Sequence, residues 1–142
     1  RRDGQSHKVA AVPGGFHAVD VEAGQPRRAA DDVSEGHNPA DLPKVLELAK
    51  RKNIVIKVSG ACTLSKEPYP FPDIWDPLAR VFDAWGFDRC LWGTDWTRAF
   101  AVVNYEQAVE PFRLTKRLSD SERAMLMGGA CAKAYGWSPK RG

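Results

Sequence analysis

The chain divides by hydrophobic pattern near residue 40. Residues 1–40 contain no Leu, Ile, Met, Trp or Tyr, and their large apolar residues are five valines and Phe16. Charged pairs (Arg1-Arg2, Arg27-Arg28, Asp31-Asp32) and glycines and prolines punctuate this stretch. It can bury little surface against the entropy of ordering it, so it is expected to be poorly ordered. The alternation His17-Ala-Val19-Asp-Val21 permits one short strand. From Asp41 the pattern changes. Asp41 is expected to cap a helix with Pro43 in its first turn and Leu42, Val45, Leu46 and Leu48 on its apolar side. Lys50-Arg51-Lys52 suits its C-terminal turn. Ile54–Ser59 is a β-branched run of strand length ended by Gly60, and its near-continuous apolarity predicts a parallel strand covered on both faces. Asp76-Pro77 opens a second helix with Leu78, Val81, Phe82 and Trp85 at helical spacing and Gly86 at its end. The segment from Arg89 to Asp95 is the next strand. A third helix begins at Asn104 and carries Tyr105, Ala108, Val109 and Phe112. Ser119 and Glu122 form a capping box for a fourth helix through Met127, and after Gly128-Gly129 a short helix runs to about Tyr135.

Helices and strands alternating across short links predict a parallel α/β fold, which places functional groups at the carboxyl ends of strands. Those ends are Ser59-Gly60 and Thr94-Asp95-Trp96. Asp95 is the strongest candidate. It closes an apolar strand between Trp92 and Trp96, which would lower the dielectric around its charge, and a carboxylate there can take a proton or bind a metal. The competing reading is a helix N-cap. Arg98, three residues on, could bind a substrate carboxylate or simply be exposed. Lys57 could be a catalytic amine or a strand-edge lysine with its head in solvent. Cys62 has no base near it in sequence, and Cys90 reads as core. The Pro68–Pro72 segment is expected to be a rigid loop that walls the pocket. No Gly-x-Ser-x-Gly elbow or Gly-Lys-Ser/Thr loop is present, so serine hydrolase and P-loop chemistry have no support.

The residues Ile56-Lys57-Val58-Ser59-Gly60, the run from Arg89 through Trp92-Gly93-Thr94-Asp95-Trp96, and Ala134-Tyr135-Gly136-Trp137 together resemble the carboxyl-terminal part of amidohydrolase-family proteins. The branch is the metal-dependent one that includes lactone hydrolases and non-oxidative decarboxylases. The resemblance covers residues 41 to about 138, leaving 139–142 as a tail. It implies the carboxyl-terminal portion of a (β/α)₈ barrel behind a poorly ordered or degenerate N-terminal segment. It implies a divalent metal, Zn or Mn, in the complete protein, with Asp95 beside it handling the proton of the attacking water. Ser59, Gly60, Trp96 and Arg98 would border a pocket for a small-molecule lactone, ester or amide.

The family's metal ligands are mostly histidines, and here the chain departs from the pattern. It has no His-x-His, and its histidines are His7, His17 and His37. His17 is the one candidate ligand among them, and a chain with this donor set need bind no metal at all. Gly129 stands where the family usually has Asn. The other expectations are therefore a non-catalytic remnant or a small α/β interaction module and, within enzymes, a metal-dependent non-oxidative decarboxylase, which the resemblance implies equally.

Composition adds bounds. The 142 residues make one domain or part of a larger one, and Arg1 at the start expects a partial chain. A net charge of +3 gives no argument for nucleic acid or an anionic membrane. No apolar run approaches a membrane span. The 3 cysteines are scattered, with no CxxC or Cys/His cluster. That excludes a structural zinc site and fits a reducing, cytoplasmic setting. Oligomeric state has no signature in the sequence.

Overall fold

The computed structural model describes residues 9–12, 16–20 and 42–140. Among them the chain runs β1 (Val9–Val12), β2 (Phe16–Asp20), α1 (Leu42–Leu48), β3 (Ile54–Ser59), α2 (Trp75–Trp85), β4 (Cys90–Gly93), α3 (Trp96–Ala99), α4 (Tyr105–Leu114), α5 (Asp120–Ala124) and α6 (Ala130–Tyr135). The described strands form one sheet in the order β1-β2-β3-β4. β3 is parallel to both neighbours, pairing Ala18 with Val55 on one side and Lys57 with Leu91 on the other. Four of its six residues, Ile54, Val55, Ile56 and Val58, are buried. That is the two-faced burial its continuous apolarity predicts. The permitted strand at His17–Val21 is present as β2. β1 pairs antiparallel with it, Val9 opposite Val19. This hairpin within residues 1–40 was not expected, and its antiparallel β1 departs from an all-parallel sheet. The other residues of that segment, with the expected cap Asp41, lie outside the described residues.

Side chains alternate across β3 and β4, and the two faces are covered differently. Ile54, Ile56, Val58 and Cys90 pack with Val45 of α1, Val81, Phe82 and Trp85 of α2, and Phe112 of α4. Val55 and Leu91 pack instead with Ala130 and Ala134 of α6. Both of these are the second residue of their strand, so α6 covers that face at its amino-terminal end. Lys57, Ser59 and Gly93 follow toward the carboxyl end, all half-buried.

The helix ends are set by side chains and glycine. At α4 the Gln107 N–H donates to Asn104 Oδ1 (2.8 Å) and the Asn104 N–H to Gln107 Oε1 (3.1 Å). Ser119 and Glu122 make the expected box at α5, at 3.2 and 2.8 Å. Gly86 closes α2 at φ 77°, its N–H donating to the Phe82 carbonyl. Gly128-Gly129, expected to separate two helices, does not. Met125–Gly129 forms a π-helical turn that joins α5 to α6. A Cβ on Gly129 would lie 3.0 Å from Met125 Sδ, so the missing side chain makes room for Met125.

The basic run Lys50-Arg51-Lys52 falls beyond the end of α1, whose last turn carries no cation. The carbonyls there are met from 40 residues away by Arg89, buried with 8% exposure. Its Nη2 donates to Ala49 O (2.9 Å), its Nη1 to Arg51 O (3.0 Å) and Ile54 O (3.4 Å), and its Nε to Trp85 O (2.9 Å). The guanidinium also lies 5.0 Å from the Trp85 ring centroid. One side chain therefore ties the ends of α1 and α2 to the start of β3.

Lys133 of α6 reaches Asp88, just before β4, at 2.9 Å. This hydrogen bond is the main cause holding the Asp88 carboxyl below its usual range. A carboxylate depressed in the folded state stabilises above its unfolded value, near pH 4, and loses that stabilisation as pH falls through the lower folded value. Both groups are substantially exposed, so the effect is under about 1 kcal/mol. In urea titrations, Lys133→Met should be slightly less stable than wild type at pH 7. The two midpoints should converge as pH falls through the lowered folded value of Asp88; a difference that persists once the carboxyl is protonated in both states would contradict this assignment.

Candidate functional site

The carboxyl ends of β3 and β4 meet through backbone. The Gly60 N–H donates to the Gly93 carbonyl at 3.1 Å, and Ser59 pairs with Gly93 in register. Gly60 turns the chain at φ 61° into the turn Ala61–Leu64. Beyond Gly93, Asp95 also takes a left-handed conformation, φ 49°, immediately before α3. Asp tolerates this region better than most residues, but it remains strained.

Asp95 occupies the N-cap position of α3, yet its side chain caps nothing. The α3 N–H groups of Arg98 and Ala99 are met by the Asp95 main-chain carbonyl, both at 2.9 Å. The carboxylate is left facing Gly60: a Cβ there would lie 3.1 Å from Asp95 Cβ and 3.4 Å from Oδ2. Its other neighbours are Arg98 Nη1 at 3.8 Å and Thr97 Oγ1 at 3.5 Å. Both are loose contacts. The Asp95 side chain is 28% exposed and that of Arg98 37%. An N-cap role therefore accounts for the backbone of Asp95 and not for its carboxylate.

The structure brings Ser59, Gly60, Asp95 and Arg98 together at one end of the sheet. Trp96 opens α3 there, 40% exposed, edge-on to Tyr105 with centroids 5.4 Å apart. Trp92 does not join them. It packs with the helix-covered core, its ring 5.8 Å from Phe112. The expected pair of tryptophans around Asp95 is thus reduced to one. Lys57 lies on the same face as Ser59, opposite Asp20 and Leu91 in register. His17 pairs with Ile54, the first residue of β3. At about 3.3 Å per residue, that is roughly 16 Å along the strand from Ser59. The register places His17 at the other end of the sheet from Asp95. Tyr69, Pro70 and Pro72 of the Pro-rich loop line a groove of about 330 Å³ with Trp75, Pro111 and Leu114. A cavity of about 340 Å³ at the amino ends of the strands is bordered by Val55, Arg89 and Lys133. Both of those cationic side chains already serve structural contacts.

The thiols are not part of this site. Cys62 and Cys90 are buried, and burial raises both, Cys90 to about 12. A thiol so placed forms little thiolate. Cys131 is exposed. With a thiol-disulfide reagent on native protein, Cys131 should react promptly and Cys62 and Cys90 only on unfolding. Reaction of Cys90 at the rate of Cys131 would contradict its placement.

A catalytic zinc takes about three protein ligands and an open position. Among the described residues Asp95 lies at this end of the sheet and Asp20 closes β2 opposite Lys57, and no group of three or more His, Cys, Asp or Glu could hold a metal. By themselves they do not fit a metal, and the chemistry available to them is that of Asp95. Among the described residues no helix is long and apolar enough to cross a membrane.

Comparison with known proteins bears on the same strands. The family model described as Amidohydrolase matches residues 19–137. An L-fucono-1,5-lactonase from Burkholderia multivorans is 28% identical over 120 residues, 80% of this chain and 40% of its own. Two crystal structures of an amidohydrolase from Burkholderia multivorans, one with bound HEPES and one with bound zinc, are 25% identical. They superpose at TM-scores of 0.66 and 0.65 over 87% of this chain, and over 45% and 44% of theirs. A Pseudomonas putida structure, provisionally named as a 2-pyrone-4,6-dicarboxylic acid hydrolase, is also 25% identical. Its TM-score is 0.57, over 69% of this chain and 37% of its own. The chain spans less than half the length of each.

Proposed function

Because the chain belongs to the amidohydrolase family, we propose that it carries the proton-handling end of a hydrolase that opens small lactones, with Asp95 as the residue that does so. The observation carrying this reading is the Asp95 carboxylate itself. It is held in a strained backbone conformation at a strand's carboxyl end, beside Gly60, and is not used as a cap. The relatives named for lactone and pyrone hydrolysis support the substrate class. In this proposal β2, β3 and β4 are neighbouring strands of a (β/α)₈ barrel, whose chemistry sits at the strand carboxyl ends.

The reaction assigned to these residues is water addition to a ring ester. Asp95 takes a proton from the water as its oxygen bonds to the carbonyl carbon. The tetrahedral adduct then breaks its ring C–O bond, and the same proton passes to the departing alkoxide, giving a hydroxy acid. Arg98, next to Asp95 and half-exposed, favours a substrate with a carboxylate or an oxygen-rich ring. Trp96 presents an apolar surface to that ring. The described residues do not by themselves hold a divalent metal, and no step here is routed through one. We assign the protein to the cytoplasm on its scattered, unpaired cysteines.

The test is a pH-indicator assay on aldono-1,5-lactones, 2-pyrone carboxylates, simple esters and amides. Acid release from the lactones with little from the amides is expected. Amide cleavage without lactone opening would overturn the substrate class. The second reading, a non-catalytic chain, is favoured by one observation: among the described residues no group of three or more His, Cys, Asp or Glu could hold a metal. A cooperatively folded protein that opens none of these lactones would establish it.

A further inference from the structure

We propose that Gly60 is a positioning residue for Asp95, because the bare Cα of Gly60 is the surface against which the Asp95 side chain is set. Neither backbone is free to retreat. The Gly60 N–H is bound to the Gly93 carbonyl (3.1 Å), and the Gly60 carbonyl accepts from the Thr63 N–H (2.9 Å) and Thr63 Oγ1 (2.7 Å). The Asp95 carbonyl is held by two N–H groups of α3. With both chains pinned, a methyl group at 60 would stand 3.1 Å from Asp95 Cβ, 3.7 Å from Cγ and 3.4 Å from Oδ2. Ordinary contact between such carbons is about 3.5–4.0 Å. Rotation of the side chain does not move Cβ, so relief would come from displacing Asp95 and with it the carboxylate, the group on which the proposed reaction rests.

The fold contains its own control. Gly136 has the same φ, 61°, as Gly60, and a Cβ on it would meet nothing within 4 Å. Alanine at either position meets the left-handed backbone penalty. Only alanine at 60 also meets Asp95. The comparison of Gly60→Ala with Gly136→Ala therefore isolates the contact from the backbone term.

The inference rests on the reading of Asp95 as the proton-handling group, but its test needs no activity. Urea midpoints are measured for Gly60→Ala, Gly136→Ala, Asp95→Gly and Gly60→Ala/Asp95→Gly. The Asp95 carboxyl ¹³C resonance, assigned by its loss in Asp95→Asn, is followed in each variant that retains it. Gly60→Ala should lose more midpoint than Gly136→Ala, and the excess should vanish once Asp95→Gly removes the opposing side chain. The resonance should move in Gly60→Ala and stay in place in Gly136→Ala. Equal losses, a static resonance, or a Gly60→Ala loss unchanged by Asp95→Gly would each overturn the proposal. If Gly60→Ala alone fails to fold, the double variant decides: recovery of a cooperative transition supports the contact, and continued unfolding refutes it. A protein that shows this coupling and opens no lactone would refute the proposed function alone.

Discussion

Replacing Arg89 with Met should destabilise the protein by about 3–5 kcal/mol, the largest effect expected of any single substitution here. The reason is what the side chain leaves behind. Without it, the carbonyls of Ala49, Arg51 and Trp85 lose donors at 2.9–3.0 Å in a region of low solvent access. A buried acceptor stranded in this way costs about 1–3 kcal/mol. That applies to the Ala49 and Trp85 carbonyls, whereas the part-buried Arg51 carbonyl keeps the Ile54 N–H at 3.4 Å. The three are coupled through one group, so their costs do not simply add. Set against the roughly 5–15 kcal/mol of total stability typical of a domain, the loss removes much of the margin. Arg89→Lys should recover only part of it. An ammonium is a compact point charge and cannot span acceptors on α1, α2 and β3 as the planar guanidinium does. Urea unfolding followed by tryptophan fluorescence measures both variants. A loss below about 1 kcal/mol for Arg89→Met would contradict the network.

The second large effect is on chemistry. Asp95→Asn keeps the shape of the side chain and the tolerance for left-handed backbone while removing the proton-accepting oxygen. A positioned general acid–base group contributes about 10²–10⁴-fold, so lactone opening should fall by at least about a hundredfold with little change in the urea midpoint. Asp95→Gly should be equally inactive and more stable. Glycine adopts φ near 49° without steric penalty, and relief of a strained non-glycine conformation is worth about 1 kcal/mol or more. A residue whose removal abolishes activity and raises stability is one retained for chemistry rather than for folding.

The local elements were legible because their signals are local. Ile54–Ser59 announces a doubly covered strand by composition, and Ser119 with Glu122 announces a helix start by spacing. Both are present as read. Gly128-Gly129 misled because glycine usually breaks a helix, whereas here it lets Met125 pack within a continuous one. Arg89 reads as one more strand-flanking cation. Its role depends on three chain segments converging, which spacing along the sequence does not reveal. The strand-end position of Asp95 was legible, but its strained backbone and its contact with Gly60 were not. The contact joins residues 35 apart and exists only through the β3–β4 register. The β1–β2 hairpin was hidden by a segment too poor in large apolar residues to stand out. Only the pairing shows that β2 meets β3 with His17 at the start of the strand rather than at its carboxyl end.

The most direct measurement is the initial rate of opening of one aldono-1,5-lactone by wild-type protein and by Asp95→Asn. Both are corrected for spontaneous hydrolysis and for the native fraction read from urea unfolding. A wild-type rate above the spontaneous one, lost in the equally folded variant, is the expected result. A wild-type rate no different from water, or one that survives the substitution, would contradict the assignment of proton transfer to Asp95.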